Sequence, residues 1–360
     1  PYQNQQGQWL SQTGVGDLNL AYTYNTEGKP TQIVYPFDSG SGTSPTYNYS
    51  YDAMARLAGM TTNDGGTGVS GVVYGVANEL RAINYYGATE NRDYNTLFQL
   101  KNITTTVQGG TGINVTYNYP AGSNNGKISS MSDALSGETV TYQYDSLNRL
   151  ISAAGSGWSQ TQSYDGFGNL TGRVGTGTAQ STSMSTPVVA TTNRLSGYSY
   201  DANGNQLSTG NVFDAENRLA FANISGGMME YFYDAQNKRV WQGTCTLGGN
   251  CQQGVVSTDT VTLFGADGRL VGTYQWSAAW NNTQTQVALS FQASARRAYF
   301  GGKLVAQMAG GVVTSAVQDR LGSVGRYYPY GEERNAPPLG NDQVKFATYT
   351  RDSGTEPHDS

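Results

Sequence analysis

Five aspartates recur in one sequence context and are the first residues of this chain that could do chemistry. Each follows an aromatic residue, and each is followed, after a few small or polar residues, by a return to apolar ones: Asp145, Asp165, Asp201, Asp214 and Asp234. A carboxylate in such a place could act as a general acid or base, or it could cap a tight turn. The spacing of the neighbouring residues decides between these two roles.

The residues that follow each aspartate favour the turn. Three positions after it, every copy has glycine or asparagine: Asn148, Gly168, Gly204, Asn217 and Asn237. Asn25 and Gly28 repeat the arrangement near the start, and two degenerate copies have Gly75 and Gly265 in the aspartate position. Glycine and asparagine enter the left-handed backbone region at the lowest cost. The pattern therefore predicts a tight turn that is closed by a residue with positive φ.

Strands are predicted on both sides of this turn. The Tyr-x-Tyr-Asp pattern places aromatic side chains on alternate positions, which suits a half-buried pleated surface. Leucine returns five positions after the aspartate site in seven copies: Leu57, Leu80, Leu100, Leu150, Leu170, Leu219 and Leu270. Each copy thus predicts a β-hairpin whose carboxylate accepts hydrogen bonds from the turn backbone. Because one cap repeated along a chain does not describe many active sites, we interpret the aspartates as turn caps.

The repeat is interrupted in four places. Ala55 and Phe98 stand where glycine or asparagine is expected, so these two turns must close differently or be strained. Residues 175–193 (GTGTAQSTSMSTPVVATTN) have low complexity and predict an inserted loop or an irregular strand. Residues 277–300 (SAAWNNTQTQVALSFQASARRAYF) are interpreted as a second irregular stretch.

The composition agrees with an all-β chain and excludes several functions. The 360 residues include 47 glycines and 26 tyrosines, and only 13% are charged, so long surface helices are not expected. A net charge of −5 without a basic cluster argues against binding of nucleic acid. No run of 18 apolar residues is present, and no membrane span is expected. The start at Pro1 suggests a processed chain or a segment of a longer one.

The two cysteines predict a disulfide and no metal site. Cys245 and Cys251 bracket a Leu-Gly-Gly-Asn tip, so a hairpin could bring them within bridging distance, which would favour an oxidising compartment. The alternative is a pair of reduced thiols in adjacent strands. The single histidine is His358, and two thiolates alone do not complete a tetrahedral shell. We therefore predict neither a metal nor a cofactor.

These residues resemble the YD-repeat, or Rhs, proteins, whose signature is Tyr-Asp-x-x-x-Arg-Leu. The resemblance runs from about residue 20 to residue 352 and is most specific in AVQDRLGSVGRYYPYGEERN (316–335) and VKFATYTRDSGTE (344–356). These stretches look like the blocks of the Rhs-associated core. The resemblance implies a spiral ribbon of antiparallel hairpins around a hollow interior, an open or partial β-shell with few or no helices. It divides the chain into an N-terminal strand or linker (1–20), a YD-repeat shell (21–315) and a truncated core-like end (316–360).

Members of this family include the shells of bacterial Rhs effectors, of the C components of Tc toxins and of teneurins. In toxin-bearing members the shell encloses a toxic domain, and the core leads to a self-cleaving Asp-Pro-x-Gly motif. That motif is absent from this sequence. Asp319 and Asp352 lie in the matched blocks and are the residual candidates for a protease pair; the alternative is that they cap turns like the others.

Three functions are consistent with the sequence. The first is a non-enzymatic structural shell, secreted or on a bacterial cell surface, that acts as a scaffold or a self-assembling fibre subunit. Its partners would be further copies joined through open sheet edges, or a larger parent chain. The second is a module that binds a glycan or a cell-surface receptor through exposed tryptophans, for which the candidates are Trp9, Trp158, Trp241, Trp276 and Trp280. The third is a remnant of a toxin-encapsulating, autoproteolytic shell.

Overall fold

The chain is an assembly of antiparallel β-strands. The computed structural model describes residues 2–3, 9–10, 18–110, 112–207, 210–224, 227–245, 259–280, 287–334 and 344–350. Across these ranges the helical residues form two single-turn 3-10 helices, Gln180–Thr182 and Phe346–Thr348, and no α-helix. The predicted all-β class is confirmed. Near the N-terminus, β1 (Tyr2–Gln3) pairs with β2 (Trp9–Leu10).

Fifteen strands form the first sheet, each hydrogen-bonded to its neighbours in chain order. They are β3 (Ala21–Tyr24), β4 (Pro30–Val34), β5 (Thr46–Tyr51), β6 (Leu57–Thr62), β7 (Val69–Tyr74), β8 (Leu80–Tyr85), β9 (Ala88–Tyr94), β10 (Leu100–Val107), β11 (Ile113–Asn118), β12 (Ser130–Asp133), β13 (Glu138–Tyr144), β14 (Leu150–Gly155), β15 (Trp158–Tyr164), β16 (Leu170–Gly177) and β17 (Met184–Ser185). Most successive strands are joined by short turns, a connection that antiparallel neighbours allow, while longer segments join β4 to β5 and β11 to β12.

The low-complexity stretch separates this sheet from a second one. The stretch contains the first 3-10 helix and β17, and then β18 (Val188–Val189), which pairs with β19 (Arg194–Leu195). Nine strands follow as a second sheet, again in chain order: β20 (Val212–Phe213), β21 (Leu219–Ile224), β22 (Gly227–Tyr233), β23 (Arg239–Cys245), β24 (Thr260–Phe264), β25 (Leu270–Trp280), β26 (Val287–Phe300), β27 (Lys303–Ala309) and β28 (Val312–Ser315).

The prediction of a second irregular stretch at residues 277–300 is wrong. Most of it is β26, the longest strand, which pairs with β25 from Gly272–Arg296 to Trp280–Val287. The sequence does contain a strand signal here, since Val287, Leu289, Phe291, Ala293 and Ala295 occupy alternate positions. The alternation stops at residues 295–298, which are all buried, as expected where a strand is covered on both faces.

The two sheets pack face to face over a shared core. Buried side chains from the first sheet, such as Ile83 and Tyr85, belong to the same cluster as Phe300 and Val305 of the second. The Tyr35 hydroxyl donates a hydrogen bond across the seam to the carbonyl of Arg297 at 2.7 Å. The repeats are thus not independent hairpins, since their apolar face is buried against a distant part of the chain.

The C-terminal segment, which we define as residues 316–334 and 344–350, lies against strands β11–β16 of the first sheet. Its contacts are mostly polar. Arg326 forms an ion pair with Asp133 at 2.9 Å, and Arg334 forms one with Glu138 at 3.0 Å. Tyr328 packs edge-to-face on the ring of Trp158, at 4.9 Å between centroids. The segment therefore covers a part of the first sheet that the second sheet does not reach.

Candidate functional site

The turn at Asp145 shows how the repeated motif folds. The Asp145 Oδ1 atom accepts hydrogen bonds from the backbone N–H groups of Leu147 at 3.0 Å and Arg149 at 2.8 Å. Asn148 has a φ of 70° and donates its N–H to the Asp145 carbonyl at 3.0 Å. The strand register shifts by one residue between Gln143 and Tyr144, so the turn is a tight one followed by a left-handed residue and a bulge.

The other four aspartates of the motif occupy the same geometry. In each, the carboxylate accepts the backbone N–H four residues later, at 2.8 to 2.9 Å: Asp165 from Asn169, Asp201 from Asn205, Asp214 from Arg218 and Asp234 from Lys238. Hydrogen bonding to the ionised form lowers a carboxyl pKa. The backbone N–H of Arg149 and that of Arg218 accordingly hold the pKa values of Asp145 and Asp214 below the usual range. These carboxylates hold the turn backbone, and where a second carboxylate occurs in the motif, as Glu216 does beside Asp214, Arg218 binds both.

A second device connects each repeat to the next one. The guanidinium of Arg149 lies over the ring of Tyr164, 4.6 Å from its centroid, and Arg218 lies over Tyr233 at 5.0 Å. The same tyrosines donate their hydroxyls backwards, from Tyr164 to the Leu150 carbonyl at 2.6 Å. Equivalent bonds occur from Tyr51, Tyr74, Tyr94, Tyr119, Tyr144, Tyr233 and Tyr299. Each is worth about 1 kcal/mol, so the series stiffens the edge where the turns lie.

The sequence reasoning missed this coupling, although its signal was present. The arginine or lysine four residues after the aspartate and the tyrosine just before it occur in most copies. Within one repeat, the sequence gives no indication that these two side chains are in contact. They meet because antiparallel strands place consecutive turns of one edge two strands apart, about 10 Å, which an arginine side chain can reach.

The two irregular turns keep the common backbone instead of closing differently. Ala55 has a φ of 60° and Phe98 a φ of 57°, as in the copies with glycine or asparagine. Asp52 still accepts the N–H of Arg56 at 2.9 Å, and Asn95 that of Gln99 at 3.0 Å. Both residues are therefore strained, by about 1–2 kcal/mol relative to a relaxed backbone.

The candidate protease pair receives no geometric support. Asp319 accepts backbone N–H groups from Leu321 and Ser323, each at 2.8 Å, in the manner of a turn cap. Burial raises its pKa above the usual range, in contrast to the exposed caps. Asp352 lies outside the described residues, so the pair stays a prediction.

The other predicted site residues are dispersed. Cys251 lies outside the described residues, and of Cys245 only the backbone at the end of β23 is described, so the disulfide stays a prediction. Trp158 is buried, whereas Trp241 is partly buried and stacks on Phe232 at 4.9 Å between centroids. Trp276 is also partly buried, and the side chains of Trp9 and Trp280 are not described. Over the described ranges no three metal-ligating side chains converge, and none of the helices is long and apolar enough to cross a bilayer.

Solved structures with a similar fold are Tc toxin assemblies. The crystal structure of TcdB2-TccC3-Cdc42 superposes with a TM-score of 0.63 at 15% sequence identity, and the match covers 92% of this chain and 19% of that chain. The crystal structure of TcdB2-TccC3-TEV gives a TM-score of 0.59 at 16% identity, with 93% and 19% covered. This chain thus spans about a fifth of the length of the chains it resembles. At these identities the likeness shows the fold.

The family follows from the sequence match. A comparison with curated protein sequences finds no match. The profile described as the teneurin YD-shell matches residues 2–252, which is more than half of the 360 residues. The match includes most of the capped turns and the whole first sheet. The chain therefore belongs to the teneurin YD-shell family, whose fold is a structural shell.

Proposed function

We propose that this chain is a non-enzymatic, secreted or surface-exposed wall segment that joins other strands through its open sheet edges. The observation that carries the proposal is the character of its edge strands. The outermost strands of the two sheets, β3, β17, β20 and β28, read AYTY, MS, VF and VVTS and contain no charged residue and no proline. Native proteins usually place charged residues or proline in their edge strands. Without them, the unpaired backbone groups of an edge strand can form hydrogen bonds with a strand of another chain.

The two longest edges are the strongest candidates for this joining. In β3, Ala21, Thr23 and Tyr24 are exposed, and in β28, Val312 and Thr314 are exposed. An added strand would satisfy the outward backbone groups of β3 or β28, as β-strand addition does in other proteins. The strand could come from a second copy, which gives a scaffold or fibre, or from the remainder of a larger parent chain. The proposal retains the division into residues 1–20, 21–315 and 316–360.

The test is the mass of the purified chain as a function of concentration. Light scattering and electron microscopy should show polymers of the unmodified chain. Thr23→Lys and Thr314→Lys place a charge on β3 and β28 and should reduce the mass towards that of a monomer. Thr161→Lys, an exposed position in the interior strand β15, is the matched control and should still polymerise. A monomer at every concentration would reject self-assembly.

Binding of a glycan or a receptor is a second candidate, favoured by one exposed aromatic pair. Phe232 is 42% exposed and stacks on Trp241, with 28° between the ring planes. A flat aromatic face of this kind suits a sugar ring. Tryptophan fluorescence of the chain should then change on titration with a binding oligosaccharide, and Phe232→Ala should abolish the change. Phe167→Ala, at an exposed turn residue of the first sheet, is the control.

A further inference from the structure

A large cleft lies where the first sheet, the second sheet and the C-terminal segment meet. Its volume is about 620 Å³, within the range of small-molecule sites. Tyr74 and Leu80 line it from the first sheet, Leu270 and Phe300 from the second, and Leu321 from the C-terminal segment. These apolar side chains lie beside polar ones in the lining, and charges that face such a recess act through less water than they would on an open surface.

The charges that line this cleft are predominantly positive. Five cations face it: Arg92, Arg269, Arg297, Lys303 and Arg320. Among the described lining residues the carboxylate is Asp319. Two more carboxylates lie behind the cations, because Glu90 binds Arg92 and Lys303, and Asp267 binds Arg269. Within the described part of the chain, cations therefore outnumber carboxylates in and directly behind the lining, in a chain whose net charge is −5.

Three of the cations are held by burial or by contact with a ring. Arg297 is only 5% exposed, and the Lys303 side chain is 9% exposed. The Lys303 ammonium lies over the Tyr85 ring at 4.8 Å, and the Arg269 guanidinium lies over Tyr299 at 5.8 Å. Ordered cations lose little conformational entropy when they bind an anion. Burial raises the pKa of Asp319 and lowers the pKa of Lys303, so it disfavours the charged form of both groups.

We propose that this cleft binds a small organic anion through a carboxylate or sulfate group, with the apolar walls enclosing the rest of the molecule. The cleft is several times larger than one oxyanion, and its leucine, tyrosine and phenylalanine walls are suited to an organic body. Arginine recognises carboxylate and sulfate through paired N–H donors. An acidic sugar has both a carboxylate and an organic body, whereas inorganic sulfate has only the oxyanion.

Isothermal titration calorimetry of the full chain with glucuronate, sodium sulfate and glucose tests the proposal. Glucuronate should bind, sulfate should bind more weakly, and glucose should not bind. The affinity for glucuronate should fall as the salt concentration rises. Binding of sulfate without binding of glucuronate would contradict an organic ligand. Binding of glucose with the same affinity as glucuronate, or no binding of any of the three compounds, would contradict the anion site.

Two arginine positions in the motif provide a matched comparison. Arg269 and Arg149 each follow a capped turn by the same spacing and lie over the tyrosine of a later strand, but only Arg269 lines the cleft. Arg269→Gln should weaken glucuronate binding about tenfold or more, as expected for one charged hydrogen bond. Arg149→Gln should leave it unchanged. Arg320→Gln alters an exposed cleft residue with little risk to folding and should weaken binding similarly. Equal losses in Arg149→Gln would show that the binding is non-specific.

Discussion

The two sheets use the same turn but differ in what covers their faces. In the strands of the first sheet, buried and exposed side chains alternate, as in β9, where Ala88 and Glu90 are buried and Thr89 and Asn91 are exposed. In the second sheet β26 is buried without interruption from residue 295 to 298, and β27 from Leu304 to Ala306. One face of the first sheet is thus exposed to solvent, whereas the middle of the second sheet is covered on both faces.

This difference shows where the fold depends on repetition and where it depends on long-range packing. In the first sheet each hairpin has its own cap and a stacked link to the next, so stability accumulates locally, as in repeat proteins. At β26 and β27, Leu304 packs with Ala316 and Val344, while Val305 packs with the first sheet. The second sheet is therefore the element that unites the parts of the chain.

The largest effect is expected at the seam between the sheets. Glu90 of β9 is fully buried and forms ion pairs with Lys303 of β27 at 3.0 Å and with Arg92 at 2.7 Å. Burial alone would raise the pKa of Glu90, but the two cations hold it below the usual range. Glu90→Gln would leave Lys303 buried without its charge partner, at a cost of about 3–5 kcal/mol.

Urea denaturation followed by circular dichroism measures this loss in the free energy of unfolding. The double variant Glu90→Gln with Lys303→Met should recover part of it, because the buried ammonium is removed while the Arg92 guanidinium still lacks its carboxylate. If the unmodified chain unfolds in two separate steps, the seam does not couple the sheets, and the comparison between them becomes one between independent domains.

A smaller effect is expected from the tyrosine links, and it should be equal in both sheets. Tyr94 of the first sheet donates to the Leu80 carbonyl at 3.1 Å, and Tyr233 of the second donates to the Leu219 carbonyl at 2.8 Å. Tyr94→Phe and Tyr233→Phe should each lower the free energy of unfolding by about 0.5–1.5 kcal/mol. Thermal denaturation of the two variants makes the comparison. A loss in Tyr94→Phe alone would mean that the second sheet does not depend on the links.

The sequence was sufficient for the repetitive half of this molecule. The aspartate and the glycine or asparagine three residues later are local signals, and a tight turn with one left-handed residue is a local structure. The same spacing predicted Leu150 as the start of a return strand, where β14 does begin. Local signals of this kind need no knowledge of the rest of the chain.

The sequence failed where contacts are distant in the chain. β26 lacks the aspartate turn motif of the repeats, and the burial of its residues 295–298 depends on elements that no local pattern reveals. The five cations of the cleft are likewise separated by more than 200 residues, from Arg92 to Arg320. Two of them, Arg269 and Arg297, appear in the sequence as ordinary solvated residues. Only the packing of three parts of the chain places them around one space.

A gain of stability is expected from relieving the strained turns, which among the described YD-type turns belong to the first sheet. Ala55 has a φ of 60°, whereas the corresponding residues in the second sheet are Asn217, Asn237 and Gly268. Ala55→Gly should raise the free energy of unfolding by about 1 kcal/mol, since glycine adopts this conformation without strain.

Ala53→Gly is the matched control in the same turn. Its residue does not have a positive φ, so the substitution only increases the freedom of the unfolded chain and should lower stability slightly. Urea midpoints of the two variants provide the measurement. If Ala55→Gly is no more stable than Ala53→Gly, the strain at this turn is relieved elsewhere.

The smallest effects are those of pH, and they should have opposite signs at an exposed and a covered turn. The folded-state pKa of Asp145 is lowered by the backbone N–H of Arg149, so this cap contributes stability above the unfolded value of about 4 and loses it as the pH falls further. The folded-state pKa of Asp319 is raised by burial, so its contribution is present below about pH 4 and is lost as the pH rises through the folded value.

Thermal midpoints of three proteins between pH 3 and pH 7 distinguish these signs. Asp145→Asn should be less stable than the unmodified chain at pH 7 and should approach it as the pH falls below 4, where the carboxylate is protonated first in the unfolded state and then, at lower pH, in the folded state. Asp319→Asn keeps an oxygen for the Leu321 and Ser323 N–H groups but carries no charge. Its stability relative to the unmodified chain should therefore increase from pH 4 to pH 7. If the thermal midpoints of both variants depend on pH in the same way, the prediction is wrong. The turn at Asp319 in the C-terminal segment would then have the same electrostatic environment as the exposed turn at Asp145.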